Sequence, residues 1–211
     1  MQKIDIENWH RKDYFEFFRH YDDPSFSLTA DVDVTKLYQL IKEQNASFFL
    51  ASLYLCQKAV NQIEAFKYRI RGKKIILHDR IDVGSTVLNE DNSFSFCYFK
   101  YVEPFRDFAG AANLQMQLLK EKQQKLNPQD DRDDLIHYTI IPWFSFRSFK
   151  HPRKNFQANS IPKIAFGKFT RETKMQMPIS IDAHHGLMDG WHVGQFYQKF
   201  QQLLDSPAKH L

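Results

Sequence analysis

The sequence has only two cysteines, Cys56 and Cys97, and seven glycines in 211 residues. Two thiols cannot form a disulfide framework, so the fold must be held by an apolar core, and a chain of this length can bury one as a single domain over residues 1–211. Also missing are an apolar run long enough to span a bilayer and a charged-then-apolar opening segment. No membrane span or export signal is therefore expected, and the expected compartment is the cytoplasm. No glycine-rich strand-to-helix phosphate turn occurs, which argues against a doubly wound parallel sheet. The formal charge of +4 is modest and basic residues alternate with acidic ones. The densest basic stretch, Lys67 to Lys74, reads as a solvated hairpin, so nucleic-acid binding is not expected, although the charge suits a polyanionic small molecule. There is no repeat, low-complexity linker or composition break to divide the chain.

Aromatic residues, by contrast, are abundant. Twenty phenylalanines imply aromatic-lined interiors, a ligand pocket or subunit contacts. Asn8 is positioned to cap a first, largely aromatic helix carrying Arg11 and Lys12 near its start. A cation at a helix N-terminus opposes the helix dipole, so Arg11 calls for an anionic partner elsewhere. Phe26, Leu28, Ala30, Val32 and Val34 alternate with polar residues, the period of a strand buried on one face. Leu37, Leu40 and Ile41 fit a helix that stops at the asparagine of KEQNAS, and a central apolar helix follows from about Ser47 to Ala65. Phe66 to Tyr101 reads as hairpins, with turns at Arg71 to Lys73 and Asn89 to Asn92. Pro104 opens a helix expected to reach about Leu126. The carboxylate run Asn127 to Asp134 is expected to be an exposed loop, because unpaired carboxylates are costly to bury. It lacks the glycine and closing glutamate of a calcium loop. Two strands, IPKIAFGKF and MQMPISIDA, form a hairpin across Arg171 to Lys174, and a last helix runs from Trp191 to about Leu204. Helices on either side of a mostly antiparallel set of strands predict an α+β, two-layer sandwich with helices on one face.

The hairpin ends in the stretch ISIDAHHGLMDGWHVG, Ile179 to Gly194, which places two histidines, an aspartate and two glycines on a turn between strand and helix. Gly186 and Gly190 point to a tightly specified turn. Three chemistries fit such residues. His184, His185, Asp189 and His192 are all possible metal ligands, but adjacent histidines on an extended chain point to opposite faces and rarely serve one ion. Histidine-activated nucleophilic catalysis would need a serine or cysteine in a recognisable context, and no glycine-x-serine-x-glycine elbow occurs. General-base catalysis would let one imidazole take a proton from an acceptor hydroxyl, provided a donor elsewhere meets the developing oxyanion.

His185-Gly186-Leu187-Met188-Asp189-Gly190 has an H-x-x-x-D-G form, and HHGLMDGWHVG as a whole resembles the chloramphenicol acetyltransferases, within the coenzyme A-dependent acyltransferases. The resemblance runs in order along essentially the whole chain. NWHRKDYFEFFRHY resembles the family's opening segment and FSLTADVDVT its first strand. PWFSFRSF resembles its P-W-x-x-F-x-S-F segment, and GKFTRETKMQMPISIDAHH the hairpin into the catalytic turn.

What the resemblance implies is an O-acetyltransferase moving the acetyl group of acetyl-CoA directly to a hydroxyl of chloramphenicol in a ternary complex, with no metal and no acyl-enzyme. It makes His185 the general base and Ser148 the hydroxyl that meets the tetrahedral oxyanion. Asp189 becomes a structural brace ion-paired with Arg11, the anionic partner that Arg11 calls for. Phe17, Phe18, Leu28, Phe94 and Ala165 fall at acceptor-pocket positions and Phe169 on the coenzyme side. Homotrimers with active sites between subunits are implied as well.

Three positions depart from the family. Phe18 and Phe169 stand where tyrosines are common, and Ala165 where a threonine usually assists antibiotic binding. Each lost hydroxyl can leave an acceptor polar group unpaired, at about 1–3 kcal/mol. Acetyl transfer to another hydroxyl-bearing xenobiotic or metabolite is therefore the alternative. Further away stand a dihydrolipoamide acyltransferase domain, for which this sequence shows no lipoyl domain or flexible linker, and a non-catalytic trimer binding a small apolar ligand.

Overall fold

A computed structural model of the chain describes residues 1–121, 126–129, 131–155 and 159–211. In chain order the elements are β1 (Gln2–Lys3), α1 (Lys12–Phe18), β2 (Ser25–Asp33), α2 (Thr35–Gln44), α3 (Phe48–Asn61), β3 (Tyr68–Arg71), β4 (Lys74–Leu77), β5 (Asp82–Leu88), β6 (Phe94–Phe99), α4 (Phe105–Glu121), β7 (Leu135–Ile141), β8 (Lys163–Gly167), β9 (Thr170–Arg171), β10 (Met175–His184) and α5 (Gly190–Asp205).

The main sheet has the strand order β2-β10-β8-β7-β5-β6, with β9 beside the start of β10. Its pairs are antiparallel except β5–β7 and β7–β8 in the middle. The two parallel pairs require crossovers. The one from β6 to β7 carries α4, and the one from β7 to β8 is the irregular stretch 142–162, of which residues 156–158 lie outside the described ones. One face of the sheet, made by Val83, Tyr138, Ile164, Phe166, Met177, Ile179 and Ile181, forms a single buried cluster with Phe66 and with side chains of α2, α3, α4 and α5. The opposite face of β10 presents Ser180, Asp182 and His184, all buried, and the irregular crossover lies over it. This is the expected two-layer arrangement, with helices on one face. A smaller sheet, β1-β4-β3, shares a second cluster, Trp9, Phe15, Tyr68, Ile75 and Leu187, that seats the histidine turn against α1.

Local chemistry explains most boundaries. Ser47 caps α3 by accepting from the Leu50 N–H, and Asn45 ends α2 in the left-handed region at φ 50. Gly72, at φ +59, turns β3 into β4.

Several expectations need correction. Asn8 does not cap the first long helix: it closes a 3-10 turn, Ile6–Asn8, that Asp5 caps, and α1 starts at Lys12 with Arg11 in the cap position. Helix α4 is described only to Glu121, since 122–125 lie outside the described residues, and Leu126 has φ 42, which is not helical. Strand β2 is not buried along one face. As the edge of the sheet it leaves Leu28 and Ala30 exposed and Phe26 half-buried, and only Val32 and Val34, at and just past its end, are fully covered.

The run Asn127 to Asp134, of which Asp130 lies outside the described residues, is docked rather than free. Asp133 accepts from Arg71 Nε (2.6 Å) and Nη2 (2.7 Å) and pairs with His78 Nε2 (2.9 Å), while Arg132 reaches Asp82 (3.0 Å) and Asp134 (2.8 Å). Burial of Asp133 works against ionisation, but the hydrogen bonds from Arg71 and His78 outweigh it and hold the carboxyl well below the usual range. Fully buried Arg69 donates to the carbonyls of Phe66, Tyr68, Asp133 and Leu135, tying the small sheet to the start of β7.

Candidate active site

The alternation of β10 ends where Ala183 faces the core, His184 faces the opposite side, and His185 leaves the strand. The two histidines then part. His184 is buried and its Nδ1 accepts from the Gly186 N–H (3.1 Å), so it shapes the turn. His185 is half-buried, and its backbone N–H donates to the Pro24 carbonyl (2.8 Å). Its ring lies flat against Phe18, with centroids 4.0 Å apart and planes at 9°, and Phe26 closes on it at 4.7 Å. Its Nδ1 is buried and makes no hydrogen bond. Packing by the two rings, not a hydrogen bond to Nδ1, sets the orientation of this imidazole.

Gly186 sits in a close approach: a Cβ there would stand 3.1 Å from the His184 ring and 3.3 Å from the Phe15 backbone, so those neighbours would have to give way by a few tenths of an ångström. Gly190 has no such constraint. It is the first residue of α5, and an added Cβ would meet only Leu28 at 4.0 Å.

Asp189 is the N-cap of α5. It accepts from the Trp191 N–H (3.0 Å), and His192 Nδ1 sits 2.9 Å from its Oδ1 and 3.2 Å from its backbone nitrogen, a reciprocal cap. Its other oxygen accepts from Arg11 Nη1 (2.9 Å), and Arg11 Nη2 donates to the His185 carbonyl (3.3 Å). Arg11 therefore joins the brace directly to the histidine's own backbone. Partial burial opposes ionisation of Asp189, but the bonds from Arg11 and His192 prevail and hold its pKa at about 2. Burial lowers His192 below the usual imidazole range, against the pull of Asp189. With His184 turned inward and His192 engaged in capping, the four possible ligands of the turn do not converge on one point.

Ser148 belongs to the irregular stretch behind the sheet and is exposed. That stretch lies along β8 and β10. The Lys168 N–H donates to the Phe144 carbonyl (3.0 Å), and the Phe146 ring occupies the space a Cβ at Gly167 would need, at 2.9 Å. The Ser180 hydroxyl donates to the Phe149 carbonyl (2.9 Å). Ser148 therefore lies beside the Pro178–Ser180 part of β10. At about 3.3 Å per residue it is roughly 16 Å along the strand from His185 of the same chain.

The residues expected to line an acceptor pocket are split in the same way. Phe18 touches His185, and Phe17 packs edge-on against Phe18 at 5.0 Å while remaining 60% exposed. Leu28 and Phe94 are 40% and 47% exposed on the two edge strands, at opposite ends of the strand order. Ala165 is fully buried behind the sheet, in the row Thr29, Ser180, Ala165, Thr139, and offers no surface within one chain. Phe169 packs with Tyr38 and Phe48, both at 5.5 Å, and Arg171 stacks over Phe169 (5.4 Å) and Tyr38 (5.0 Å) while donating to the Tyr38 hydroxyl (2.8 Å). An aromatic cluster holding an exposed guanidinium suits a phosphate-bearing ligand such as a coenzyme.

Sequence reasoning did not single out Phe26, Asp182 or His151. Phe26 could have been found as the inward neighbour of the first strand's start. Asp182 and His151 carry no local signal, since their contact spans 31 residues.

The site is thus a half-buried histidine held by ring packing at the end of a strand, with a charged brace behind it. The family model described as chloramphenicol acetyltransferase matches residues 1–201, and the chain belongs to the chloramphenicol acetyltransferase family. It is an acetyltransferase. It is 30% identical over 210 residues to chloramphenicol acetyltransferase 3 of Escherichia coli, covering 98% of each chain. Identity to the chloramphenicol acetyltransferase of Proteus mirabilis is 26%, over 98% of this chain and 95% of the relative. A solved chloramphenicol acetyltransferase superimposes with a TM-score of 0.85 at 32% identity, covering 96% of this chain and all of the other. The cubic core of the pyruvate dehydrogenase multienzyme complex shares the fold, with a TM-score of 0.70 at 14% identity over 89% of this chain and 84% of that one.

Proposed function

We propose that the chain, acting throughout as one catalytic domain, transfers the acetyl group of acetyl-CoA to a hydroxyl of chloramphenicol, with His185 as general base. The acceptor hydroxyl gives its proton to His185 as its oxygen attacks the thioester carbonyl. The oxyanion that forms is met by the Ser148 hydroxyl; when the tetrahedral species collapses, the carbon–sulfur bond breaks and coenzyme A leaves with the proton. The observation that carries this reading is the convergence of Phe18, Phe26 and the Arg11–Asp189 pair on one half-buried histidine. A base with a fixed plane is useful only to a proton whose position is also fixed.

The site is built between subunits of a homotrimer. Two observations support this: the roughly 16 Å between Ser148 and His185 in one chain, and the exposed Phe17, Leu28, Phe94, Trp143 and Phe144. Phe169 and Arg171 receive the coenzyme, no metal takes part, and the protein works in the cytoplasm. None of the helices among the described residues is long and apolar enough to cross a membrane.

The absence of a hydroxyl at Phe18, the ring that contacts His185, favours a second reading in which the acceptor is another alcohol. Steady-state assays with acetyl-CoA and a panel of hydroxylated acceptors separate the two. Turnover of chloramphenicol is expected; turnover of a different alcohol with none of chloramphenicol would reject the first reading.

A further inference from the structure

Behind the sheet, Asp182 is a carboxylate 1% exposed, on a strand whose adjacent residues Ile181 and Ala183 are wholly apolar. Three donors converge on it: the Ser27 hydroxyl, the His151 backbone N–H (2.7 Å) and His151 Nδ1 (2.7 Å). On the other side of the ring, His151 Nε2 lies 3.2 Å from the Thr139 hydroxyl. Asp182 is on β10 and Thr139 on β7, so the imidazole bridges the strand between them, β8. The two neighbours of this clasp toward Ser148 are tied as well. The Phe149 carbonyl accepts from Ser180, whose hydroxyl accepts from Thr29 (2.9 Å), and Lys150 Nζ reaches Asp23 (2.6 Å). Three consecutive residues after Ser148 are therefore anchored, each to a different partner, while Ser148 itself is exposed.

Ser148 lies on a stretch that pairs with no strand, so its backbone has no ladder to hold it and side-chain tethers must supply the rigidity. An oxyanion donor displaced by about 1 Å loses much of its value. We infer that Asp182, His151 and Thr139 form the positioning device for Ser148: Asp182 orients His151, and His151 fixes the irregular stretch against two strands at once. All three are positioning residues that act through Ser148. The inference rests on Ser148 being the oxyanion donor.

The test is a double-mutant cycle in the intact protein, using His151→Phe and the gentler Thr139→Val, each alone and combined with Ser148→Ala, with Ser148→Ala alone as the third variant. Chloramphenicol and acetyl-CoA are the substrates, and thermal unfolding is followed in parallel. Ser148→Ala is expected to lower kcat on the order of 10²-fold. His151→Phe should lower kcat about ten-fold, and Thr139→Val less, with KM for both substrates nearly constant. In the Ser148→Ala background both changes should alter kcat by less than about two-fold, because the group they position is gone.

If the effects multiply in full, or if KM rises while kcat holds, the clasp does not act through Ser148 and the inference is overturned while the catalytic reading stands. If Ser148→Ala alone turns over at the parent rate, the oxyanion assignment fails and the inference fails with it. Should His151→Phe not fold, the Thr139→Val cycle decides, since it removes only the far anchor and preserves size.

Discussion

Replacing Asp189 by asparagine separates its charge from its capping role, because asparagine caps a helix about as well as aspartate. The charge has two structural consequences. Asp189 titrates at about 2 rather than 3.8, a difference worth on the order of 2 kcal/mol at about 1.4 kcal/mol per unit. Its carboxylate is 30% exposed, and solvent screening reduces that to about 1–2 kcal/mol. The larger effect is on Arg11. Its side chain is only 5% exposed, and among the described residues Asp189 is the one carboxylate it pairs with. Removing the partner of a buried charge costs about 3–5 kcal/mol.

Asp189→Asn should therefore destabilise by about 3 kcal/mol, lowering Tm by roughly 6–12 °C for a chain of this size. Arg11→Ala leaves no buried charge behind and should cost about 1–2 kcal/mol. Combining them should be no worse than Asp189→Asn alone, since the stranded guanidinium is gone. Differential scanning fluorimetry at neutral pH, alongside kcat for the three variants, measures this. A double variant whose loss equals the sum of the singles would refute the brace. The pH dependence has a fixed sign. A depressed carboxyl pKa gives stability that is complete above about 4 and lost as pH falls toward about 2, so the Tm gap between parent and Arg11→Ala should close over that window.

His185→Ala should lower turnover on the order of 10²–10⁴-fold while Tm and assembly stay near those of the parent, since the ring is half-buried; steady-state rates near the parent's would remove it as the base. Phe18→Ala removes the stacked ring and should lower kcat more than it raises KM for the acceptor, whereas Phe18→Tyr should retain most activity; a pure KM effect would mark Phe18 as a binding residue only. Sedimentation of the purified protein should give a trimer, and Leu28→Arg, which places a charge on the exposed edge strand, should shift it toward monomer with loss of activity. A monomer of full activity would show that the site is complete within one chain.

The residues most legible in the sequence are those whose partners are close in sequence or whose type is diagnostic. The turn from His184 to Gly190 stood out because strand alternation, adjacent histidines, an aspartate and two glycines fall within a few residues. Arg11 stood out because a cation at a helix start conflicts with the dipole, and the structure gives it Asp189, 178 residues away. The clasp on Asp182 was not legible, since neither its alternation nor its spacing separates a buried carboxylate on the polar face from an exposed one. The docked Asp133 was missed for the same reason, as Arg71 and His78 reach it from a hairpin 55 and more residues earlier. The two parallel pairs in the middle of the sheet depend on crossovers that periodicity does not encode. Leu28 and Ala30 match a buried-strand pattern and yet are exposed, because periodicity does not distinguish a central strand from the edge strand that β2 is.

Strand β10 resolves an apparent conflict between Ser148 and His185. A base and an oxyanion donor that serve one reacting carbon must lie within a few ångströms of it, yet the same strand holds these two about 16 Å apart, one at its end and one clasped beside its middle. Within a rigid strand no side-chain motion closes that gap. On the roles proposed above, the two groups of one chain would serve two different reacting carbons, each completed by a neighbour, and β10 would fix the relative placement of two sites rather than assemble one. The inward residues Ile179, Ile181 and Ala183 hold the strand in the core, Asp182 and Ser180 hold the Ser148 stretch behind it, and the turn beyond His184 places His185. A lesion at Asp182 should thus impair the oxyanion side of one site while leaving His185 of the same chain competent for the other. Mixing Asp182→Asn chains with His185→Ala chains should restore activity to the fraction of sites that receive both intact halves. No gain over the separate variants would contradict the shared site.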